Sequence, residues 1–310
     1  MNEMVGLVGK RVVLTGAGGF LGRNLLPRLI SEGCLVTAVT SKSQAELAGL
    51  CEMSANEERL TVVSPGDRGL TQSALNKADY LLNGAFPRNN DGRELAMGLQ
   101  YISWLFMASA ARGTRSVVNI SSQSVYSQYR KEPATESDPV CPESPYALAK
   151  YATELMLRSA CCCVPHVNIR LSSLIGPGFD QRVPNKMVEK AWHGESIEVV
   201  DQKGKYGYLD IEDAVEGIVQ LIQTNPQRWN NTYNLGPKDA YSIHDIALAV
   251  QRVGALHGLS VNITNVSGPD VDINTEVSAS LFSEQFGWET SKSLDDSIEL
   301  IAREAERSRD

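Results

Sequence analysis

The sequence predicts an α/β protein: an open, doubly wound parallel sheet followed by a smaller α/β lobe. Three observations carry that expectation. Short apolar runs rich in β-branched residues alternate with longer stretches of helical period through the first half of the chain. The runs are apolar at successive positions, the pattern of strands buried on both faces in parallel pairing. The first run also passes straight into a glycine-rich turn that opens a helix.

Taken in order, residues 12–15 form the first strand and 20–32 the first helix, with Leu21, Leu25, Leu29 and Ile30 on one face. Pro27 removes one backbone hydrogen bond inside that helix, so a kink is expected there, and Gly33 supplies the stop. Strands at 35–40, 60–63, 80–83, 116–121 and 166–171 alternate with helices at 43–50, 70–77, 92–112 and 145–160. Right-handed crossovers then assemble six strands into one sheet. Beyond residue 171 come helices at 183–193, 212–224, 242–256 and 293–307 with short strands between them. The expected organisation is therefore a sheet domain over 1–171 and a lobe over 172–310, with an approximate boundary and interleaved lobes. No Pro/Gly/Ser-rich linker separates them, so a shared interface with a ligand cleft is expected.

The composition narrows the function classes. With 42% hydrophobic and 21% charged residues, the 310-residue chain is neither disordered, collagen-like nor a coiled coil. No apolar run approaches the roughly 20 residues that cross a bilayer, and Met1 to Met4 lack the basic start of a secretory leader. A cytoplasmic location is the expectation. A net charge of −8 argues against nucleic-acid and anionic-membrane partners. The cysteines at 34, 51, 141 and 161–163 show no CxxC or zinc spacing, so neither a metal nor a disulfide is expected. The run Cys161, Cys162, Cys163 reads as small buried hydrophobes.

The chemistry begins at Thr15-Gly16-Ala17-Gly18-Gly19-Phe20-Leu21-Gly22. Gly16 permits the tight turn, Gly19 lets backbone approach a pyrophosphate, and Gly22 lets helix and strand pack closely. Phe20 and Leu21 open the helix, whose N-terminal N–H groups and dipole favour a phosphate. Following a buried strand and preceding a helix, the motif predicts a Rossmann-type dinucleotide site. The second strand ends Thr40-Ser41-Lys42, without the acid that commonly holds an adenosine ribose. Ser41 and Lys42 can instead serve a ribose phosphate, which tilts the choice from NAD toward NADP.

A second constellation lies at the end of the fifth strand and the start of the next helix. Tyr146 and Lys150 share a helical face, and an ammonium beside a phenol stabilises phenolate. Ser122, at a strand C-terminus, can hold a substrate oxygen against that tyrosine.

Together these motifs resemble the extended short-chain dehydrogenase/reductase superfamily, in particular its NAD-dependent epimerase/dehydratase branch acting on nucleotide sugars. The resemblance extends through Gly66-Asp67, Arg170 to Pro177, Ile211 to Ala214, Tyr233 to Gly236 and Phe286-Gly287-Trp288. It implies that Asp67 and Arg68 flank the adenine, that Ala85 and Arg88 line the cofactor, and that Leu171 faces the nicotinamide amide. Ser124, Ser173 and Arg182 fall where substrate would be held, with Lys186 a further cation nearby. Departures from the family pattern include Asn83-Gly84-Ala85-Phe86 after the fourth strand and Met97 where a helix asparagine is usual. Ser173 replaces the asparagine of RxxN, and Tyr206-Gly207 replaces Arg-Asp.

The resemblance implies an NAD(P)-dependent enzyme, an epimerase or 4-ketoreductase using Ser122, Tyr146 and Lys150. Gln123 and Ser124 stand where the related 4,6-dehydratases carry an acid pair, which disfavours dehydration. An NADPH-dependent reductase of a non-sugar carbonyl and a non-catalytic NAD(P)-sensing protein are the alternatives. A homodimer is expected through the helices at 92–112 and 145–160. They carry Leu95, Leu99, Ile102, Leu105 and Phe106 on one and Leu148, Tyr151, Leu155 and Met156 on the other.

Overall fold

The computed structural model describes residues 5–200, 204–267 and 272–307; Met1 to Met4, on which the leader reading rests, lie outside them. The chain runs β1 (Arg11–Thr15), α1 (Phe20–Ser31), β2 (Leu35–Val39), α2 (Gln44–Leu50), β3 (Leu60–Val63), α3 (Arg68–Leu75), β4 (Tyr80–Asn83), α4 (Gly92–Ala111), β5 (Val117–Ser122), α5 (Pro145–Ala160), β6 (His166–Leu171), β7 (Ser173–Ile175), α6 (Val183–Trp192), β8 (Ile197–Val200), β9 (Tyr208–Asp210), α7 (Ile211–Ile222), β10 (Thr232–Leu235), α8 (Ile243–Leu256), β11 (Ile263–Val266), α9 (Ser280–Phe286) and α10 (Leu294–Arg307). Two compact units result. The first comprises Met1–Tyr126, Pro139–Arg170 and Val215–Tyr233, and the second Ser127–Asp138, Leu171–Ala214 and Asn234–Asp310.

The first unit is built on a sheet of order β10-β6-β5-β4-β1-β2-β3. β1 lies between β2 and β4 and pairs in parallel with both, so the connection reverses direction at its C-terminal end. The six strands expected from the sequence all form. A seventh, β10 (Thr232–Leu235), joins them from beyond residue 171, where the sequence predicts short strands in the smaller lobe. α1 runs through Pro27 and buries Leu25, Leu26, Leu29 and Ile30. Gly33 follows in the left-handed conformation, with φ +83°.

A line of polar side chains crosses this otherwise apolar sheet. Thr15 Oγ1 donates to Asn83 Oδ1 (2.7 Å), Asn83 Nδ2 to Asn119 Oδ1 (2.9 Å), and Asn119 Nδ2 to Asn168 Oδ1 (2.9 Å). All four are buried, and each buried amide is tolerable because its neighbour satisfies it.

The second unit has two small parallel pairs, β7 with β9 and β8 with β11. Its core includes Val188 and Trp192 of α6, Val250 and Val253 of α8, and Ile298 and Ile301 of α10. Asp213 accepts from the backbone amides of Ser291 (2.9 Å) and Lys292 (3.1 Å), fixing the chain before α10. α9, absent from the sequence reading, is a seven-residue helix closed by Gly287 at φ +69°. Among the described residues no helix is long and apolar enough to cross a membrane.

One local expectation is corrected. Cys161 is buried, but Cys162 and Cys163 are exposed, their sulfurs 3.8 Å apart. α5 ends at Ala160, and the turn that follows leaves only the first of the three thiols under the core.

Candidate active site

The glycine-rich turn adopts a conformation that only its residues permit. Gly16 has φ +70°, and a Cβ there would lie 2.8 Å from the backbone nitrogen of Ala85. A Cβ on Gly22 would fall 2.2 Å from the carbonyl oxygen of Gly16, so the first turn of α1 packs directly on the loop. Gly19 is the N-cap residue of α1 and offers no side-chain cap, and Phe20 and Leu21 open the helix. This is a bare helix N-terminus facing backbone stripped of side chains, the cradle that a pyrophosphate needs.

Gly18 sits under the end of β2: a Cβ there would meet Thr40 Oγ1 at 2.8 Å and Lys42 Cδ at 3.3 Å. Thr40 is buried and Ser41 exposed, and Thr40 Oγ1 accepts from the Lys42 amide (3.3 Å). These residues, the glycine turn, Pro65 after β3, Ala85 and Phe86 after β4, and Tyr101 of α4 line a cavity of about 360 Å³. Among the described residues, no carboxylate lines it. Asp67 caps α3, its Oδ1 accepting from the Leu70 amide (2.9 Å), which starts that helix at Arg68, two residues before the expected position. The Arg68 guanidinium lies over the Trp104 ring, 4.9 Å from its centroid. Arg88 is exposed on the loop between β4 and α4.

Ser144 caps α5 through the Ala147 amide (3.1 Å), and Pro145 occupies the first turn, which places Tyr146 at the helix start and Lys150 one turn on. The Tyr146 amide donates to Asn90 Oδ1 (3.0 Å). Lys150 is 5% exposed and donates from Nζ to the carbonyl of Ile120 (2.5 Å), two residues before Ser122. Burial lowers its pKa to about 8, opposed by the charge of Glu154. Phe86 ties the two together: its ring meets that of Tyr146 edge-on at 6.2 Å, and Lys150 Nζ lies 5.0 Å from its centroid. Ser122 closes β5, and its Oγ accepts from the Ser124 hydroxyl (2.9 Å) and amide (3.2 Å).

Beneath this cluster Arg170 is fully engaged. Its Nε and NH2 donate to Glu154 (3.1 and 2.8 Å), and NH1 donates to the Tyr126 hydroxyl (2.8 Å). Ser121 Oγ donates to the same Glu154 (2.5 Å). The arginine that the RxxN resemblance associates with substrate is therefore an internal brace of the first unit.

The remaining candidates belong to the second unit. Leu171 ends β6 and is buried. Ser173 pairs with Tyr208 between β7 and β9. Arg182 precedes α6, its guanidinium 5.1 Å from the Phe179 centroid. The sequence reading did not single out Phe86, Tyr101 or Glu154 for the site. Glu154 was detectable as the residue one turn after Lys150 on the same helical face, whereas Phe86 and Tyr101 carry no spacing signal.

Residues 12–236 match the family described as "NAD dependent epimerase/dehydratase family". The dTDP-glucose 4,6-dehydratase of Xanthomonas campestris pv. campestris is 24% identical over 321 residues, covering 93% of this chain and 91% of that one. The UDP-glucose 4-epimerase of Caenorhabditis elegans is 23% identical over 332 residues, covering 92% and 94%. A UDP-glucuronic acid 4-epimerase from Bacillus cereus, crystallised with UDP-glucuronic acid and NAD, superposes with a TM-score of 0.82 at 18% identity, covering 96% of this chain and 99% of that one.

Proposed function

Because this chain belongs to the NAD-dependent epimerase/dehydratase family, we propose that it oxidises or reduces a hydroxyl-bearing carbon of a nucleotide sugar, as an epimerase or a 4-ketoreductase. The observation that carries this reading is the meeting of Tyr146 and Lys150 on Phe86, a residue that also lines the cavity beside the glycine turn. Gly16, Gly19, Phe20, Leu21 and Gly22 would hold a dinucleotide pyrophosphate, with Ser41 and Lys42 toward the adenosine ribose. Asp67, Arg68, Ala85, Arg88 and Leu171 belong to the same set, as do Tyr146 and Lys150, with Lys150 toward the nicotinamide ribose. The cradle fits such a group because a side chain at Gly16 or Gly18 would collide with its surroundings. The relative crystallised with NAD supports NAD; Thr40 in place of an acid supports NADP. Bound nicotinamide supplies a hydride acceptor and donor.

The chain's own residues handle the proton. The Tyr146 phenolate takes it from a substrate hydroxyl, or the phenol returns it, and the Lys150 ammonium favours the phenolate form. The Ser122 hydroxyl orients the reacting oxygen, and Ser124, which hydrogen-bonds it, borders the sugar. Ser173 and Arg182 serve the rest of the substrate. Elimination of water is disfavoured because Gln123 and Ser124 replace an acid pair, although some relatives are dehydratases. Reduction of a non-sugar carbonyl with NADPH is the second reading, drawn from Thr40 and from Arg170 being committed to Glu154.

Nucleotide released from the denatured protein distinguishes these outcomes. Retained NAD with interconversion of UDP-sugars and no added cofactor supports an epimerase. Consumption of added NADPH supports a reductase, and turnover of neither a sugar nor a carbonyl panel would overturn the proposal.

An isologous dimer is part of this reading. Leu95, Ile102, Leu105 and Phe106 are buried within the chain, but Met97, Met107, Leu148 and Leu155 of α4 and α5 are 44–62% exposed. Paired about a two-fold axis, the two helices would cover them. Sedimentation equilibrium at a mass of 33.8 kDa would contradict it.

A further inference from the structure

A buried carboxylate lies one turn from Lys150 and has no part in the chemistry assigned above. Glu154 is fully buried on α5, four residues after Lys150 and on the same helical face. The two side chains meet β5 at adjacent residues: Lys150 Nζ donates to the Ile120 carbonyl (2.5 Å), and Glu154 Oε1 accepts from Ser121 Oγ (2.5 Å). The next residue along the strand is Ser122. Arg170 of β6 donates twice to Glu154 and once to the Tyr126 hydroxyl. Around the ammonium, α5 supplies Tyr146 and Glu154 as titratable groups, and Arg170 and Tyr126 act on it through Glu154. β5 offers a carbonyl, and the loop after β4 offers the ring of Phe86.

A carboxylate in this position does for a buried lysine what water does for an exposed one. An ammonium taken out of solvent tends to lose its proton, and a negative charge buried nearby, in a medium of low dielectric, opposes that loss. Burial, the larger effect, brings the Lys150 pKa down to about 8 against the pull of the Glu154 charge. We propose that Glu154 is a positioning residue for the reaction: its carboxylate keeps Lys150 an ammonium at neutral pH and ties α5 to the end of β5 beside Ser122. Its part in the reaction rests on Tyr146 and Lys150 being the groups that handle the proton. Arg170 keeps the carboxylate ionised by compensating its charge.

The alkaline limb of kcat/KM tests it, together with the pH dependence of stability in urea, which needs no turnover. In Glu154→Gln the limb is expected to move down from near pH 8 by about one pH unit, so that activity at pH 9 lies about tenfold below that of the unaltered protein. The stability difference from the matching Lys150→Met protein should also begin to rise about one pH unit lower, because the folded-state pKa of a buried lysine marks where its penalty starts to be relieved. The double variant Glu154→Gln, Arg170→Met removes both members of the ion pair, so neither is left unpaired to unfold the chain. Its limb should again lie below that of the unaltered protein. A limb near pH 8 in both variants would overturn the assignment. So would a limb displaced in the single variant and restored in the double, which would trace the shift to the freed Arg170 charge. Should the unaltered chain turn over no sugar or carbonyl, the proton-transfer reading falls, while the stability titration still decides whether Glu154 holds the charge on Lys150.

Discussion

Glu154 grips Arg170 at two points, 3.1 Å from Nε and 2.8 Å from NH2, and both side chains are buried. The pair joins α5, which carries Tyr146 and Lys150, to β6 at the end of the first unit's central segment. Removing one partner leaves the other as an uncompensated buried charge. Glu154→Ala is therefore expected to lose about 3–5 kcal/mol of stability in urea denaturation. A loss under about 1 kcal/mol would show that the brace is dispensable.

Lys150 predicts an unusual dependence on pH. Burial lowers its pKa from 10.5 to about 8, so between those values the unfolded chain binds more protons than the folded one. Its burial penalty is full below about pH 8 and is relieved as pH rises toward 10.5. Relative to Lys150→Met, the unaltered protein should gain about 3 kcal/mol between pH 7 and pH 10.5. Activity should fall over the same range, with an alkaline limb in kcat/KM near pH 8 as the ammonium is lost. A stability difference that does not move with pH would contradict the assignment.

The proposed cofactor preference turns on the end of β2. The Lys42 side chain lies over Gly18 and borders the cavity, where no acid repels a ribose phosphate. Lys42→Ala should weaken NADPH by about tenfold, the scale of one charge-assisted contact, and leave NADH nearly unchanged. Equal affinities for the two cofactors in both proteins would make Lys42 a surface charge.

Much of this was legible in the sequence, for identifiable reasons. Strands buried on both faces read as short, largely apolar runs rich in β-branched residues, so the six from Arg11–Thr15 to His166–Leu171 stood out. The glycine turn was legible because Gly16 and Gly22 are sterically obligatory. The pairing of Arg170 with Glu154 was not legible, because the partner comes from the preceding helix and no spacing marks it. Tyr101 and Phe86 were invisible because an aromatic on a core-facing segment has no pattern to mark it. Asp67 was legible as a residue of interest, but its work as the cap of α3 emerges only once the helix start is seen.

Tyr146→Phe tests most directly whether Tyr146 transfers the substrate proton. The substitution removes only the hydroxyl and leaves the ring against Phe86. At saturating cofactor, turnover of a UDP-sugar should fall by at least about a thousandfold, while NAD affinity by calorimetry stays within about twofold of the unaltered protein. Turnover within about tenfold of the unaltered enzyme would contradict the account and move the proton transfer elsewhere.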